Sequence, residues 1–248
     1  MKALVRVPSP HLAQGLLTHL ERTDVDYDLA RRQWDGYVAA LESVGWSPVE
    51  VAPAPDHPDG VFVEDTVVVH GHRAMLARPG ARERRGETVG TASTVRQLGL
   101  ELAAIEGSDT LDGGDVLKVA DRWYVGVGDR TTPGACSQLA AFFGVEVVPV
   151  PITKALHLKS AVTALPDGTV IGYQPLVDDP GVFARFLPVP EEPGSHVVVV
   201  DDKTVLMASS APRTAGMLQE RGLRTIEVDI GEFEKLEGCV TCLSVRVR

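Results

Sequence analysis

Short apolar stretches, each followed by a polar turn and a second apolar stretch, recur along the chain at intervals of roughly 35 to 50 residues. After most of these pairs comes a segment of helical periodicity and then another short strand. The clear copies open at 65–69, 115–119, 157–162 and 196–200, with turns at 70–72, 120–122, 166–168 and 201–203, and helices are predicted at 88–98, 136–143 and 213–221. A repeat of this length indicates modules of one architecture rather than separate domains.

The two ends of the chain contain the strands and the helix that do not belong to these copies. Residues 1–7 are predicted to form a strand, 24–44 an amphipathic helix and 49–51 a further strand, but no opening strand precedes them. Residues 240–248 alternate as a strand that has neither a partner strand nor a helix of its own. We therefore expect the two ends to complete one module together. The pattern predicts a single α/β domain over 1–248, with five modules in a ring, helices outside and opening strands near the axis.

The composition is that of an ordinary globular protein. Hydrophobic residues make up 44% of the 248 positions, which is enough for a sizeable core. The first residues lack the uninterrupted apolar run of a signal peptide, and no membrane segment is predicted. Three cysteines, an odd number, argue against a disulfide framework and fit a reducing compartment. The cytoplasm is therefore the expected location.

The charge of the chain narrows the class of ligand. A formal net charge of -10 repels polyanions, which disfavours nucleic acid as a partner and is compatible with a small cationic ligand. The basic run at 82–85 is the one local exception, and by itself it favours a solvated loop. The sequence contains no asparagine. A carboxylate would therefore have to orient any catalytic histidine.

Two adjacent carboxylates, Glu64 and Asp65, interrupt an otherwise apolar run at 61–69. An unpaired buried charge costs several kcal/mol, so these groups need a cation. The cation could be an internal arginine, or the carboxylates could lie at a solvated strand end. A guanidinium ligand is the third alternative, because it keeps its proton and matches carboxylates through paired hydrogen bonds.

Two further carboxylates, Asp112 and Asp115, flank a Gly-Gly step at the opening of the next copy of the repeat. The glycines permit a tight bend or a close approach of the backbone to a ligand, and they are also compatible with a plain turn. The position of this segment in the repeat adds weight to a functional role.

His157 opens the third copy in an alternating stretch that is predicted to place it on one strand face with Lys159. A single strand histidine is more often structural than catalytic. His70 and His72 have the spacing of a metal pair, but they fall in a predicted turn with no third ligand nearby, so no metal site is expected.

Cys242 lies in the terminal strand pattern, on the more polar face with Ser244 and Arg246. A buried cysteine usually prefers an apolar face, and a nearby cation or histidine would make this one a nucleophile. Cys239 and Cys242 also form a C-x-x-C motif, which raises redox and zinc alternatives. Redox pairs normally open a helix after a strand, and zinc needs two further ligands, so the sequence favours the nucleophile.

Together these residues resemble the dimethylarginine dimethylaminohydrolases, members of the guanidino-modifying superfamily with the five-module α/β-propeller, or pentein, fold. The resemblance spans nearly the whole chain in the order of the family, whereas each motif alone is weak. The matching stretches are PDGVFVED (58–65), RPGARERR (78–85), LDGGDVL (111–117), GDRT (128–131), LHLKS (156–160) and LEGCVTCLSV (236–245).

The resemblance implies a role for each matching residue. Cys242 is expected to be the nucleophile, His157 the general acid and base, and Asp112 the carboxylate that orients His157. The substrate contacts it implies are Asp65 with Glu64 for the guanidinium, Arg84 and Arg130 for the carboxylate, Asp59 and the backbone carbonyl of Leu236 for the ammonium, and Leu16 or Leu17, with Leu17 preferred, for an N-terminal lid.

The resemblance also implies the reaction. Arginine deiminases resemble this site but carry a second aspartate where this chain has Lys159, which favours methylarginines over arginine as substrates. The expected reaction is hydrolysis of an Nω-methylated arginine to citrulline and methylamine or dimethylamine, through a covalent S-alkylthiouronium on cysteine, with no metal or organic cofactor. The chain allows a homodimer. A deiminase-like hydrolase acting on another guanidino compound and a non-catalytic arginine-analogue binding protein are the alternatives.

Overall fold

The computed structural model describes all 248 residues, Met1–Arg248. The strands are β1 (Lys2–Val5), β2 (Ser47–Glu50), β3 (Val67–His70), β4 (Arg73–Leu76), β5 (Glu101–Ala104), β6 (Val116–Val119), β7 (Arg122–Val127), β8 (Glu146–Pro151), β9 (Val162–Ala164), β10 (Val170–Gly172), β11 (Phe186–Pro188), β12 (Val197–Asp201), β13 (Thr204–Ala208), β14 (Arg224–Val228) and β15 (Val245–Val247). The helices are α1 (Tyr27–Ser43), α2 (Thr88–Gln97), α3 (Pro133–Phe143), α4 (Leu158–Ala161), α5 (Pro212–Glu220) and α6 (Gly231–Glu234).

The strands form five three-stranded sheets of one design. Four sheets follow chain order, β3-β4-β5, β6-β7-β8, β9-β10-β11 and β12-β13-β14. In each of them the opening strand pairs antiparallel with the second strand, which pairs parallel with the third. A parallel pair needs a crossover connection, and α2, α3 and α5 provide it in three of these modules. The predicted α/β fold of five repeated modules is confirmed.

The fifth sheet joins the two ends of the chain. Strand β1 lies between β15 and β2, antiparallel to the first and parallel to the second. Lys2 is opposite Val247 and Ala3 is opposite Arg246. Helix α1 is the crossover of this module, and the side chain of Asp26 caps its first turn by accepting a hydrogen bond from the Leu29 amide.

Helix α1 also holds the loop that precedes β15. Tyr37 and Leu41 are fully buried in the largest hydrophobic cluster, which also contains Phe233, Leu243 and Cys242. The Tyr37 hydroxyl lies 2.8 Å from the carbonyl oxygen of Val240 and 2.7 Å from the hydroxyl of Ser244. The amphipathic face of α1 therefore supports the backbone on both sides of Cys242.

The residues at the module openings differ from the prediction, because they form tight turns instead of strand. Val63–Thr66 and Gly113–Asp115 are 3-10 turns, and residues 158–161 form the single helical turn α4. The terminal strand begins only at Val245, and the Cys242 amide donates to the Cys239 carbonyl across a turn. Apolar alternation does not distinguish a buried strand from a buried turn of the same length.

No helix of the protein is long and apolar enough to cross a bilayer.

Candidate active site

The turns at the module openings surround one small cavity of about 20 Å³. That volume holds little more than one water molecule. Most of the residues that were predicted to carry chemistry line it, although they are far apart in the sequence. The lining residues are Leu16, Asp59, Phe62, Asp65, Arg84, Arg130, Leu156, His157, Leu236, Glu237 and Cys242.

His157 is fixed by a carboxylate behind it. Its Nε2 lies 2.9 Å from Oδ2 of Asp112, which is fully buried and also accepts a hydrogen bond from the Gly80 amide. Its Nδ1 lies 3.8 Å from Oδ1 of Asp65. Because Asp112 engages Nε2, the free nitrogen Nδ1 is on the side of Asp65 and available for proton transfer.

Gly114 makes this close arrangement sterically feasible. Its amide donates a 2.9 Å hydrogen bond to Oδ1 of Asp65. A Cβ atom at this position would lie 2.7 Å from both Asp65 Oδ1 and His157 Nδ1. The Gly-Gly step therefore serves the close approach of backbone and side chains rather than a plain turn.

The electrostatics of the cavity favour a protonated histidine. Burial by itself would lower the pKa of His157, but the carboxylates of Asp65, Asp112 and Asp115 outweigh burial and raise that pKa to about 9. Burial opposes ionisation of Asp65 too, and His157 and Arg84 nevertheless lower the pKa of Asp65 to about 2. At neutral pH the site therefore holds an imidazolium beside the ionised carboxylate of Asp65.

This pKa predicts how stability depends on pH. The folded pKa of His157, about 9, lies above the ordinary value of 6.5, so its stabilising contribution is complete below pH 6.5 and is lost as the pH rises through 9. We expect the difference in free energy of unfolding between the wild type and His157→Gln to shrink by about 3 kcal/mol between about pH 6 and pH 10. Urea unfolding of both proteins at several pH values measures it. A constant difference would contradict the protonated state.

Cys242 is buried and its sulfur lies 3.2 Å from the sulfur of Cys239. The contact with Cys239, burial, and the negative charges of Glu64 and Asp65 hold the pKa of the Cys242 thiol well above its usual range. A cation that enters beside Asp65 reverses this field. These surroundings therefore hold Cys242 as a thiol, and a cation beside Asp65 would favour its thiolate.

The C-x-x-C alternative gives a separate prediction. Cys239 also contacts the hydroxyl of Thr241, and it is not among the residues that line the cavity. We expect Cys239→Ser to keep kcat/KM within roughly tenfold of the wild type in a citrulline-release assay, because only Cys242 is in position to attack. A loss above roughly a hundredfold would mean that both thiols take part in turnover.

Asp65 has the internal arginine partner that the sequence left open as an alternative. Arg84 Nη1 lies 2.7 Å from Asp65 Oδ2, and the same guanidinium contacts Glu87 at 2.9 Å and the carbonyl oxygens of Asp59 and Phe62. Arg84 is thus largely engaged within the protein, whereas Arg130 is half-buried and donates to the Thr18 hydroxyl. Of the two arginines predicted to bind a ligand carboxylate, Arg130 has more donors to spare.

The structure corrects the prediction for Glu64. Its carboxylate does not line the cavity, and lies 2.6 Å from Lys159 Nζ and 2.8 Å from Arg246 Nη2. Successive residues of a 3-10 turn project about 120° apart, so Glu64 and Asp65 point to different sides. The single strand face expected for His157 and Lys159 is wrong for the related reason that Lys159 belongs to α4.

The N-terminal segment that was predicted to be a lid covers the cavity through backbone groups. The Leu16 amide lies 3.1 Å from both carboxylate oxygens of Asp59, and Leu16 lines the cavity. Leu17, the preferred lid residue in the sequence, instead packs against the largest hydrophobic cluster. Of the two leucines, only Leu16 therefore lines the cavity.

Glu237 is a site residue that the sequence did not reveal. One oxygen of its carboxylate accepts hydrogen bonds from the amides of Thr18, His19 and Leu20 at 2.9, 2.5 and 2.8 Å. Its backbone φ of 59° is rare for a residue other than glycine. Nothing in the polar and apolar pattern marks such a contact, because it joins segments more than two hundred residues apart.

Three of these side chains also place potential metal-ligating atoms close together. Donor atoms of Asp65, Asp112 and His157 all lie within 4.8 Å of one another. A metal ion would have to displace the His157 proton and compete with Arg84 for Asp65. The donor set suits an organic cation that hydrogen-bonds to carboxylate better than it suits a metal.

Five α/β modules whose openings join a cysteine, a histidine and carboxylates define the arginine deiminase class of guanidino-modifying enzymes. The arginine deiminase family profile matches residues 36–234. The chain is 59% identical over 250 residues to the dimethylarginine dimethylaminohydrolase of Streptomyces coelicolor, covering 100% of this chain and 97% of that protein. It is 32% identical over 252 residues to the enzyme of that name from Pseudomonas aeruginosa, covering 98% of each. The chain belongs to the dimethylarginine dimethylaminohydrolase family.

Solved structures agree with this assignment. A mutant dimethylarginine dimethylaminohydrolase from Pseudomonas aeruginosa complexed with citrulline superposes with a TM-score of 0.91 at 31% identity, covering 99% of this chain and 98% of that one. The N-terminal domain of ArgZ, a cyanobacterial arginine dihydrolase, superposes with a TM-score of 0.89 at 21% identity, covering 99% and 97%. This second likeness shows the shared fold alone.

Proposed function

We propose that this protein hydrolyses Nω-methylated L-arginine, asymmetric dimethylarginine or monomethylarginine, to L-citrulline and dimethylamine or methylamine. The observation that carries the proposal is the single cavity that Cys242, His157 and Asp65 share, with Asp112 behind the histidine. Membership of the dimethylarginine dimethylaminohydrolases and the citrulline complex of a relative support the substrate class. The protein is a hydrolase of guanidino C–N bonds.

The substrate guanidinium binds in this proposal against Asp65, where each carboxylate oxygen already accepts one hydrogen bond and retains capacity for another. The α-carboxylate meets Arg130 with Arg84 nearby, and the α-ammonium meets Asp59 and the Leu236 carbonyl. The lid must open to admit the substrate, because the closed cavity holds little more than a water molecule. Closure then keeps bulk water from the reacting carbon until the amine has left and one water takes its place.

The bound cation starts the reaction. Its charge lets the Cys242 thiol release its proton to solvent, and the resulting thiolate adds to the guanidinium carbon. His157 gives its proton to the departing methylamine or dimethylamine, the C–N bond breaks and an S-alkylthiouronium remains on Cys242. Asp112 holds the ring and stabilises its charge throughout.

The same histidine completes the turnover. Neutral His157 takes a proton from water, and the resulting hydroxide attacks the thiouronium carbon. The C–S bond breaks, the hydroxyl proton of the adduct passes to the departing sulfur, and citrulline leaves Cys242 as a thiol. The steps require one water per turnover and no external reductant or oxidant.

A side-by-side assay of citrulline release tests this function. We expect asymmetric dimethylarginine and monomethylarginine to turn over with kcat/KM at least roughly a hundredfold above arginine, and agmatine to release no product, because agmatine lacks the carboxylate that Arg130 would bind. Equal or faster release from arginine would assign the protein to deiminase chemistry. Binding of all ligands without release would favour a binding protein.

The setting of the reaction is part of the same proposal. Cys136, Cys239 and Cys242 are all free thiols, which supports a reducing, cytoplasmic location. The substrate is a small cationic amino acid, and we expect neither nucleic acid nor a membrane as a partner. A homodimer stays a prediction that size-exclusion chromatography with light scattering tests.

A further inference from the structure

A second and larger cavity lies at the axis of the molecule, and the proposed reaction does not use it. Its volume is about 520 Å³, and residues of the opening strands β3, β6, β9, β12 and β15 all line it. We name it the axial chamber. It shares no lining residue with the active-site cavity.

The axial chamber and the active-site cavity lie back to back across the module openings. Glu64 lines the chamber, whereas Asp65 lines the active-site cavity. Thr241 and Cys242 are divided in the same way. The turns that carry the proposed catalytic groups therefore form a wall between two separate compartments.

The chamber is cationic in a protein that is acidic overall. Four basic side chains line it, in a chain with a formal net charge of -10. They are Lys118, Lys159, Arg246 and Arg248. The chamber contains two carboxylates, Glu64, which binds both Lys159 and Arg246, and Asp167, which lies within 4 Å of two arginines outside the lining.

The basic groups keep donors that the protein does not use. Lys118 Nζ donates to the Val69 carbonyl, and its protonated form has two further N–H groups. Arg248 donates through Nη2 to the Val199 carbonyl, and its guanidinium lies over the Trp46 ring at 5.4 Å. These two side chains thus offer several N–H groups to a ligand inside the chamber.

The basic groups also repel one another. Lys118 has an exposed side chain at the chamber, where partial removal from bulk water, and then the charges of Lys159, Arg246 and Arg248, lower its pKa. A bound anion would relieve this repulsion and favour the protonated lysine.

We infer that the axial chamber is a binding site for a small divalent oxyanion of the sulfate or phosphate class, held by Lys118 and Arg248. Lys159 and Arg246 add positive charge, which Glu64 partly neutralises. Lysine supplies a point charge and arginine a planar pair of donors, which together suit a tetrahedral oxyanion. The site is distinct from the proposed substrate site and needs no substrate to form.

Isothermal titration calorimetry of the whole protein with sodium sulfate, and separately with inorganic phosphate, tests this site in a buffer of constant ionic strength kept with sodium chloride. The variants are Lys118→Gln and Arg248→Gln in the chamber. Arg96→Gln on the exposed face of α2 is the control for net charge. Arg130→Gln is the control for anion binding in the active-site cavity.

The expected result is saturable binding of one anion that each chamber variant weakens by roughly tenfold or more, whereas both control variants bind like the wild type. Three results would overturn the inference. The first is the absence of saturable heat in the wild type. The second is an equal loss of affinity in Arg96→Gln, which would mean that bulk electrostatics alone attracts the anion. The third is a loss of affinity confined to Arg130→Gln, which would place the anion in the active-site cavity. Thermal melting of each variant without anion checks that it is folded.

Discussion

Cys242→Ser is expected to reduce citrulline release by roughly five orders of magnitude or more. A serine hydroxyl at this position stays protonated, because an alcohol is a far weaker acid than a thiol and because the contact with Cys239, burial and the nearby carboxylates, which raise the pKa of the Cys242 thiol, oppose its ionisation too. The bound guanidinium lowers the barrier for a thiol but does not bring an alcohol within reach of ionisation at neutral pH. Initial rates with asymmetric dimethylarginine measure the loss.

The controls separate a chemical defect from a structural one. Cys239→Ser makes the same substitution one turn away, at a sulfur only 3.2 Å from that of Cys242, and should retain activity. Citrulline should still bind Cys242→Ser in calorimetry, since Asp65 and Arg130 are intact. Substantial turnover by Cys242→Ser would sink the covalent mechanism, whatever the behaviour of the control.

Asp112→Asn is expected to lower kcat by roughly three to four orders of magnitude. The neutral amide cannot stabilise the imidazolium. Its NH2 group can also donate to Nε2 of His157, which leaves the proton on Nδ1 near Asp65, so that Nδ1 cannot act as the base. The alkaline limb of the pH profile should also move to lower pH, because the pKa of His157 loses part of its support from Asp112. Stopped assays over a range of pH values measure both effects.

Asp115→Asn is the matched control for this prediction. Asp115 is buried nearby and its carboxylate accepts hydrogen bonds from the Leu158 amide and the Thr131 hydroxyl, but it makes no hydrogen bond to His157. Its replacement should cost far less in kcat than the replacement of Asp112. Equal losses in the two variants, or an unchanged pH profile in Asp112→Asn, would show that Asp112 only maintains the fold.

These two predictions depend on one electrostatic arrangement. In the cavity, the pKa of His157 and the pKa of the Cys242 thiol are both raised, and the Asp65 carboxylate is held ionised. In the proposed mechanism the general acid is therefore charged and the nucleophile is protonated before substrate binds. The cationic substrate then favours ionisation of the Cys242 thiol at the moment when it can attack the guanidinium carbon.

The repeat in the sequence was sufficient to predict five α/β modules and the residues at their openings. The alternation of polar and apolar residues predicted the short strands, and the motifs around Asp65, Asp112, His157 and Cys242 follow the order of the family along the chain. The prediction of strand at these openings was wrong, because the carboxylate and glycine positions that bring the groups together require turns.

Contacts between distant loops were beyond the reach of the pattern. Three features depend on how the modules face one another. They are the hydrogen bonds of Glu237 to the N-terminal segment, the position of Leu16 rather than Leu17 at the cavity, and the ion pair of Arg84 with Asp65. Periodicity reports which face of an element is buried, and it carries no information on what lies opposite.

Local spacing and residue type were enough to predict the class of fold and the chemical groups at its centre. They did not predict which of two neighbours, Glu64 or Asp65, faces the active-site cavity, or that a separate cationic chamber lies behind it. The direction of a side chain in a tight turn, and the charges that lie near one another around the axis, depend on how all five modules pack together.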